Sequence, residues 1–338
     1  MTAGSVTTRE LDAVFPQLAP FERPTRLLGG SLNFVWRVHC ATGSVVVKRA
    51  PPYVASLPHL PLSSRRLLFE AGALRLFEDG PLKHMVSDAA RPPHLLGLDE
   101  ASSLLVEEDV GPGSDLSDAL DDVLALSRLG TFIGDLHRET ADSPDLARQF
   151  DNADVQRARL ETQYAHIAEF AMRAGADDAV TLGDSAVALG RRFLAPGRCL
   201  VMGDLWPPSV LPRATGVRII DWELAHFGSP AQDVGHLLAH LTLCGAIENS
   251  AETATAAMSQ FLIAYRKALG SQLPVLWDPE VARDTGLHFG AELLARAWGP
   301  FRMVALETSP DLRRAVTEHG LMALRHPASV VGSDLRSR

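Results

Sequence analysis

Two aspartates stand at the ends of short apolar segments in the second half of the chain. Asp204 follows Val201-Met202-Gly203, and Asp221 follows Val217-Arg218-Ile219-Ile220. Because each apolar segment can anchor a strand whose last acid projects from the sheet, a hairpin of this kind can aim both carboxylates at one point. Phosphoryl transfer needs such a pair, in which one carboxylate orients the attacking hydroxyl and the other coordinates Mg²⁺. A plain hairpin with solvated acids in its turns is the alternative, and the pattern alone leaves both open.

The residues around the two aspartates resemble segments of a known superfamily. Gly203-Asp204-Leu205 and Ile220-Asp221-Trp222-Glu223 are similar to the His-Gly-Asp and Ile-Asp-Trp-Glu motifs of the aminoglycoside phosphotransferase and choline kinase superfamily, which has a protein-kinase-like fold. The resemblance implies that Asp204 is the catalytic base and that Asp221 is the principal Mg²⁺ ligand. It also implies that Glu223 completes an Asp-x-Glu metal pair of the kind found in methylthioribose kinases.

Two positions depart from the family pattern. Met202 stands where the family usually has His, and Ser209 stands where it usually has Asn as the second metal ligand. Methylthioribose kinases resemble this chain in having Ser there, and a hydroxyl can hold Mg²⁺ directly or through water, so Ser209 is predicted as a third ligand. The departures also motivate an alternative, a catalytically degenerate nucleotide-binding or regulatory protein of the same fold. Acyl transfer to coenzyme A by a fold relative is a third reading, which no residue supports.

A glycine turn between two predicted strands is the candidate phosphate clamp. The segment Gly29-Gly30-Ser31-Leu32-Asn33-Phe34 places glycines where backbone N–H groups can approach phosphate oxygens. We expect Gly29, Gly30, Ser31 and Asn33 to contact the nucleotide. A plain hairpin turn is the alternative for a lone Gly-Gly pair.

A lysine and a glutamate are predicted to pair beside that clamp. Lys48 ends the run Val45-Val46-Val47 and resembles the strand lysine of kinases that contacts the α- and β-phosphates. A lysine whose charge simply reaches solvent from a strand end is the alternative. Glu70 borders the buried face of a predicted helix, so its carboxylate requires a cation, and Lys48 is the expected partner.

The segment after the strand Ser103-Leu104-Leu105-Val106 resembles the linker whose backbone holds adenine. Glu107 and Asp109 are the candidate positions in it.

Asp233 begins the predicted helix that follows the metal segment, as we name Ile220-Asp221-Trp222-Glu223. We expect it to cap that helix, and in the family a matching aspartate also steadies the catalytic loop.

The order of elements predicts an α+β, two-lobed, protein-kinase-like fold. A β-meander from Thr25 to Lys48, a proline-rich loop and a helix from Arg65 to Phe77, capped by Ser63-Ser64, make a small antiparallel N-lobe over residues 1–106. Residues 107–113 form the linker. A larger, mainly helical C-lobe with the catalytic and metal loops covers residues 114–338.

Composition limits the classes of binding partner and the cellular compartment that we expect for this protein. The chain has 338 residues, a formal charge of −9 and no run of Lys or Arg, so we expect no nucleic-acid or membrane partner. Cys40, Cys199 and Cys244 are far apart, which is typical of reduced thiols in a cytosol. Because neither a signal peptide nor a long apolar run is visible, we expect a cytoplasmic protein. Oligomeric state is not readable.

Other motifs are excluded by their sequence. Gly111-Pro112-Gly113 lacks the spacing of a dinucleotide loop, and no Walker A sequence occurs. His236 and His240 share a helix face, but no Glu follows His236 as a zinc protease requires.

These residues together predict transfer of the ATP γ-phosphoryl, with Mg²⁺, to a hydroxyl of a small molecule. The superfamily resemblance suggests an aminoglycoside-like, sugar or amino-alcohol acceptor. The excess of acidic residues favours a cationic acceptor, although overall charge says little about one pocket. The region around Arg296 faintly resembles the part of methylthioribose kinases with two adjacent arginines, and the single arginine here argues against methylthioribose. Trp206, Trp222 and Trp298 are candidates for the acceptor wall.

Overall fold

Alternating apolar residues build the N-terminal sheet. Trp36 and Val38 in one strand, and Val45 and Val47 in the next, are buried, because every second side chain of a strand points to the same face. The computed structural model describes residues 4–332. The strands are β1 Thr25–Leu27, β2 Phe34–Cys40, β3 Gly43–Arg49, β4 Tyr53–Val54, β5 Leu57–Pro61, β6 Ala90–Arg91, β7 Leu95–Asp99, β8 Leu104–Glu108, β9 Cys199–Val201, β10 Val210–Arg213, β11 Gly216–Ile219 and β12 His226–Gly228.

Four sheets divide these strands. Five antiparallel strands pair in the order β1-β2-β3-β8-β7 and form the N-lobe sheet. In the C-lobe, β9 pairs with β12 and β10 pairs with β11. The short β6 pairs in parallel with β11, so a segment of the predicted N-lobe hydrogen-bonds to the C-lobe. The β4–β5 hairpin stands apart from the other sheets.

Helices make up most of the C-lobe. The helix α3 has an apolar face at helical spacing, in which Leu126, Leu129, Ile133 and Leu136 are buried. The helices are α1 Thr8–Val14, α2 Arg66–Glu78, α3 Val123–Glu139, α4 Pro144–Gln149, α5 Ala153–Thr162, α6 Ile167–Arg173, α7 Ala179–Arg192, α8 Pro230–Ile247, α9 Ala251–Leu269, α10 Leu273–Leu276, α11 Pro279–Trp298, α12 Val304–Thr308 and α13 Pro310–Arg325.

The predicted α+β architecture, a small antiparallel sheet followed by a larger helical part, is confirmed. Its core continues from the C-lobe to the inner face of α2. Phe77 of α2 lies 5.5 Å from Phe132 and 5.2 Å from Trp222, measured between ring centroids. Such aromatic contacts fix the helix that carries Glu70 against the segment that carries Asp221.

Several local expectations were wrong. The proline-rich stretch after Lys48 is not a loop throughout, because it contains the β4–β5 hairpin. Ser63 and Ser64 do not cap α2, which begins after Arg65 and receives no side-chain cap. The strand β8 continues to Glu108, so the first two residues of the predicted linker belong to a strand. The predicted lobe boundaries at residues 1–3 and 333–338 lie outside the described residues.

Within residues 4–332, no helix combines the length and the apolar character that crossing a bilayer demands.

Candidate active site

The loop that follows β9 carries Asp204, and the loop that connects β11 to β12 carries Asp221. Gly203 has φ of 81°, a conformation that glycine adopts without strain. A Cβ atom at this position would lie 2.2 Å from the carbonyl oxygen of Leu224, so the two loops approach each other too closely for any other residue. Asp204 follows directly, and its orientation is therefore set by the backbone of the neighbouring loop.

Asp233 holds the loop that carries Asp204 rather than capping its helix. Its two carboxylate oxygens accept hydrogen bonds of 2.8 Å from the backbone N–H groups of Met202 and Gly203. The cap of α8 is Ser229, whose hydroxyl accepts from the N–H of Ala231. The expectation that Asp233 caps the helix was therefore wrong.

Buried hydrogen bonds keep Asp233 ionised. Burial would raise the pKa of its carboxyl, but His137 and the two backbone N–H groups outweigh burial and hold the pKa below its usual value. Met202 is fully buried behind the same loop.

Arg159, which the sequence did not single out, contacts Asp204. Its Nη2 donates to Asp204 Oδ1 at 3.0 Å and to the carbonyl oxygen of Gly203 at 2.9 Å. Burial would lower the pKa of Arg159, but Asp204, Tyr164 and Glu292 together outweigh burial, and the pKa rises above its usual value. The arginine comes from α5, and no motif in that helix marks it.

Asp221 occupies a backbone conformation that is uncommon outside glycine. Its φ is 66°, and residues held in this region cluster at functional sites. The next residue, Trp222, is fully buried, and its Nε1 donates to the carbonyl oxygen of Ile219 at 2.8 Å. The tryptophan therefore anchors the loop in the core, while the Asp221 side chain remains 39% exposed to the cleft.

Lys48 and Glu70 pair as predicted, and two further carboxylates join them. Lys48 Nζ lies 2.6 Å from Glu70 Oε1, 2.9 Å from Asp221 Oδ1 and 3.0 Å from Glu107 Oε1. Burial would lower the pKa of Lys48, but the three carboxylates raise it well above its usual value. Burial raises the pKa of both glutamates, that of Glu107 to about 8, against the attraction of Lys48.

The two predicted linker residues use their side chains differently from one another. The Glu107 side chain turns toward Lys48 and is buried, with Oε2 lacking a partner among the described residues. Asp109 accepts from Arg37 at 2.6 and 3.0 Å, from the Ser44 hydroxyl at 2.5 Å and from the N–H of Gly111 at 3.0 Å. Asp109 therefore fixes the backbone of the linker segment.

The glycine turn is joined to the metal segment by a buried triad. Asn33 Nδ2 donates to Glu223 Oε2 at 2.8 Å, and Arg66 Nε lies 2.9 Å from the same oxygen. Arg66 Nε also donates to Asn33 Oδ1 at 3.0 Å. Burial raises the pKa of Glu223 to about 7 against the attraction of Arg66. Asn33 and Glu223 thus connect the two lobes through their side chains.

Ser209 lies within its own turn. The residue is fully buried, and its hydroxyl donates to the carbonyl oxygen of Trp206 at 2.8 Å. A bond from Ser209 to a cation would require the hydroxyl to give up or share this partner. Its predicted role as a metal ligand has less geometric support than that of Asp221, whose side chain is partly exposed, and Glu223 Oε2 is likewise already bonded to Asn33 and Arg66.

One cavity of about 420 Å³ brings the predicted residues together. Its wall contains the glycine turn, Lys48, Glu107 and both loop aspartates, and it continues toward Trp206 and Phe301, whereas the predicted residues Glu70 and Ser209 do not line it. Of the three candidate tryptophans, Trp206 lines this cavity, whereas Trp222 lies in the core and Trp298 donates to Thr317. The predicted site residues on the wall are Gly29, Gly30, Ser31, Asn33, Lys48, Glu107, Asp109, Asp204, Asp221 and Glu223.

The donor set fits Mg²⁺ bound together with phosphates. Among residues 4–332, no group of three or more His, Cys, Asp or Glu could hold a metal ion by itself. Mg²⁺ is usually held by one or two carboxylates, several waters and substrate phosphates rather than by a full protein cage. Asp221 presents a partly exposed carboxylate to the cavity, and Glu223 is close in sequence and lines the same wall.

A family model and relatives of known activity match the sequence of this chain. The family model described as phosphotransferase enzyme family, APH, matches residues 24–270. A 4-hydroxytryptamine kinase of Psilocybe cyanescens is 28% identical over 239 residues, which cover 63% of this chain and 65% of that protein. Methylthioribose kinase 2 of Oryza sativa subsp. japonica is 25% identical over 242 residues, which cover 63% of this chain and 55% of that protein. The match therefore spans less than two thirds of the length of these relatives.

A solved structure shows the same fold. The crystal structure of a choline/ethanolamine kinase family protein from Mesorhizobium loti superposes with a TM-score of 0.53 at 14% identity. The superposition covers 94% of this chain and 98% of that one. The predicted two-lobed, protein-kinase-like fold is confirmed.

Proposed function

This chain belongs to the phosphotransferase enzyme family, and from that premise we propose that it is an ATP-dependent small-molecule kinase. It moves the γ-phosphoryl of ATP to a hydroxyl of a small acceptor. The observation that carries the proposal is the meeting of Asp204, Asp221 and Lys48 on the wall of one cavity between the lobes. A carboxylate base, a metal ligand and a phosphate-binding cation are the parts that phosphoryl transfer requires.

Each residue in this proposal has one task. Asp204 orients the acceptor hydroxyl and accepts its proton, and Arg159 keeps that carboxylate in place. Lys48, held by Glu70, contacts the phosphates, and the backbone N–H groups of the glycine turn approach them from the N-lobe. Asp221 and Glu223 hold Mg²⁺, with Ser209 as a weaker third ligand. Bound Mg²⁺ supplies charge neutralisation on the phosphoryl group.

The nucleotide base fits the apolar end of the cavity beside the linker. Val35, Val46, Leu211 and Ile220 line that end, and the backbone from Glu107 to Asp109 borders it. The free cysteines and the relatives' small-molecule substrates agree with a cytoplasmic enzyme. The named acceptors of the relatives, 4-hydroxytryptamine and methylthioribose, are starting points for a screen.

A catalytically silent nucleotide-binding protein is the second candidate, motivated by Met202 and Ser209. The burial of Met202 weighs against it, because a buried thioether behind the loop leaves Asp204 on the cavity wall.

Mg²⁺-dependent ADP formation across a library of sugars, amino alcohols, aminoglycosides and phenols tests the choice. We expect acceptor-dependent ADP from the parent protein and a loss of about 10²- to 10⁴-fold in Asp204→Ala, the usual contribution of a general base. ATP affinity should stay unchanged. Asp184→Asn, at an exposed position of α7, is the matched control and should keep the parent rate. Equal rates in the parent and Asp204→Ala would exclude the proposed base, and no ADP with any acceptor would favour the silent protein.

A further inference from the structure

The part of the cavity lined by Asp204, Glu223, Glu292 and Phe301, which we name the acceptor half, lies outside the nucleotide contacts proposed above. An apolar cluster closes it, which we name the cross-lobe cluster. The N-lobe contributes Leu32, Val54, Leu60 and Leu62 through the glycine turn and the β4–β5 hairpin, and the C-lobe contributes Val155, Leu224 and Phe301. Four of them are 7% exposed or less, namely Val54, Leu62, Val155 and Leu224. Seven apolar side chains from both lobes therefore face this half.

Each carboxylate that lines this half, within residues 4–332, already has an arginine partner. Asp204 pairs with Arg159 at 3.0 Å, and Glu223 pairs with Arg66 at 2.9 Å. Glu292 is the third.

Glu292 is fully engaged. Its carboxylate accepts from Arg296 Nε at 2.7 Å, His240 Nε2 at 3.0 Å and Gln163 Nε2 at 2.8 Å. Burial would raise the pKa of Glu292, but Arg296 and His240 hold it well below its usual range, so it is ionised and neutralised by Arg296. Burial lowers the pKa of His240, which keeps that ring neutral.

The paired charges decide which acceptors this half can take. An ammonium group that leaves water for a wall without a free carboxylate loses its hydration and gains no counter-charge. The formal charge of −9 is a sum over the whole chain, whereas the carboxylates of this wall are each paired with an arginine. A polycationic acceptor would therefore leave several charges unpaired.

An aromatic ring stands beside the reacting position. Trp206 lies two residues after Asp204 and lines the cavity, with its ring centroid 5.4 Å from that of His240. Arg296 lies over the same ring at 5.6 Å from its centroid. A fixed indole face is suited to a flat or extended apolar group.

We propose that the acceptor is a hydroxyl compound with an apolar ring or alkyl body and no free ammonium group. The proposal rests on the proposed function, since it assigns the occupant of the same site. It departs from the aminoglycoside-like and amino-alcohol acceptors that the sequence resemblance suggested.

Binding of three matched phenols tests the proposal without requiring turnover. The probes are 4-ethylphenol, 3-(4-hydroxyphenyl)propionate and tyramine, which share a ring and differ in charge, with kanamycin as a polycation. Each is titrated by ligand-observed NMR into the full chain loaded with Mg²⁺ and a non-hydrolysable ATP analogue. We expect uncharged 4-ethylphenol to bind at least tenfold more tightly than tyramine, and the carboxylate probe, which also meets no unpaired counter-charge on this wall, to bind more weakly than 4-ethylphenol. Tighter binding of tyramine or kanamycin, or no binding by any phenol, would overturn the proposal.

A single variant and a double variant test whether the pairing of Glu292 with Arg296 causes the preference against ammonium groups. Arg296→Met leaves Glu292 without its guanidinium, so tyramine should gain at least tenfold in affinity relative to 4-ethylphenol. The double variant Glu292→Gln with Arg296→Met removes both charges and should return the parent order; circular dichroism checks that both proteins fold. An unchanged order in a folded Arg296→Met would contradict the charge argument. Because these titrations use an inert nucleotide, they can fail while Asp204-dependent ADP formation succeeds, and the reverse.

Discussion

Lys48 is the most crowded cation of the described site. Three carboxylates lie within 3.0 Å of its Nζ, although a phosphate-binding lysine needs only one protein partner to orient it. Glu70 supplies that partner from α2. Glu107 adds a buried carboxyl beside two others, and repulsion among them, together with burial, favours its protonated form. Ionisation of Glu107 is therefore unfavourable in the folded protein, and the ionised fraction of its carboxyl increases as the pH rises.

Glu107→Gln should change how stability depends on pH. The pKa of Glu107 is raised from 4.5 to about 8 in the folded protein, so its contribution to stability is present below pH 4.5 and is lost as the pH rises toward 8. Gln keeps the shape and does not titrate. The melting temperature of the variant relative to the parent should therefore increase between pH 5 and pH 8, equivalent to roughly 1 kcal/mol or more. Calorimetry without nucleotide measures it.

Glu100→Gln, at an exposed position, serves as the control and should follow the parent at each pH. A difference between Glu107→Gln and the parent that stays constant from pH 5 to pH 8 would contradict the raised pKa.

At the scale of elements, the close approach of two loops sets the site. Gly203 and Leu224 belong to loops at the same end of the β9–β12 pair, and Asp233 on α8 holds the first of these loops through two backbone hydrogen bonds. The aspartate that follows Gly203 is held because its loop cannot move away from Leu224 without breaking the bonds to Asp233.

Gly203→Ala should disable the enzyme, and Gly175→Ala provides a matched control. Both glycines have positive φ, 81° and 78°, so alanine costs about 1–2 kcal/mol of backbone strain at either. Only at Gly203 would the new Cβ meet a backbone atom at 2.2 Å, whereas nothing lies within 4 Å of it at Gly175. Urea unfolding should show a clearly larger loss of free energy for Gly203→Ala, and ADP formation should fall in that variant alone. Similar losses in both would show that loop contact is unimportant.

Contacts that depend on the spacing of residues within one element could be predicted from the sequence, whereas contacts set by the pairing of distant elements could not. The spacing of Leu67, Ala71 and Leu74 predicts the face of α2 correctly, so the Lys48–Glu70 pair could be anticipated. The contact between Glu107 and Lys48 could not be anticipated. Only the strand register, which sets Val46 opposite Glu107, brings the Glu107 side chain near Lys48. Asp233 was predicted as a cap since it lies near a helix start, but Ser229 precedes it and takes that role.

On the scale of the whole molecule, side chains from both lobes meet around one cavity. The triad of Asn33, Arg66 and Glu223 connects the glycine turn to the metal segment, and the cross-lobe cluster connects the β4–β5 hairpin to α5. Both contacts join positions far apart in sequence, as does the Arg159–Asp204 pair, and periodicity within one element carries no information about them. The order of lobes was readable from the sequence, whereas the acceptor wall required the structure.

We propose that the two loop aspartates have separate tasks, Asp221 with Mg²⁺ and Asp204 with the acceptor. ATP affinity measured from zero to saturating Mg²⁺, in the parent, Asp204→Asn and Asp221→Asn, tests it most directly. We predict that added Mg²⁺ tightens ATP binding equally in the parent and Asp204→Asn, and that Asp221→Asn loses most of this tightening. Full Mg²⁺-dependent tightening in Asp221→Asn, or its loss in Asp204→Asn, would contradict the account.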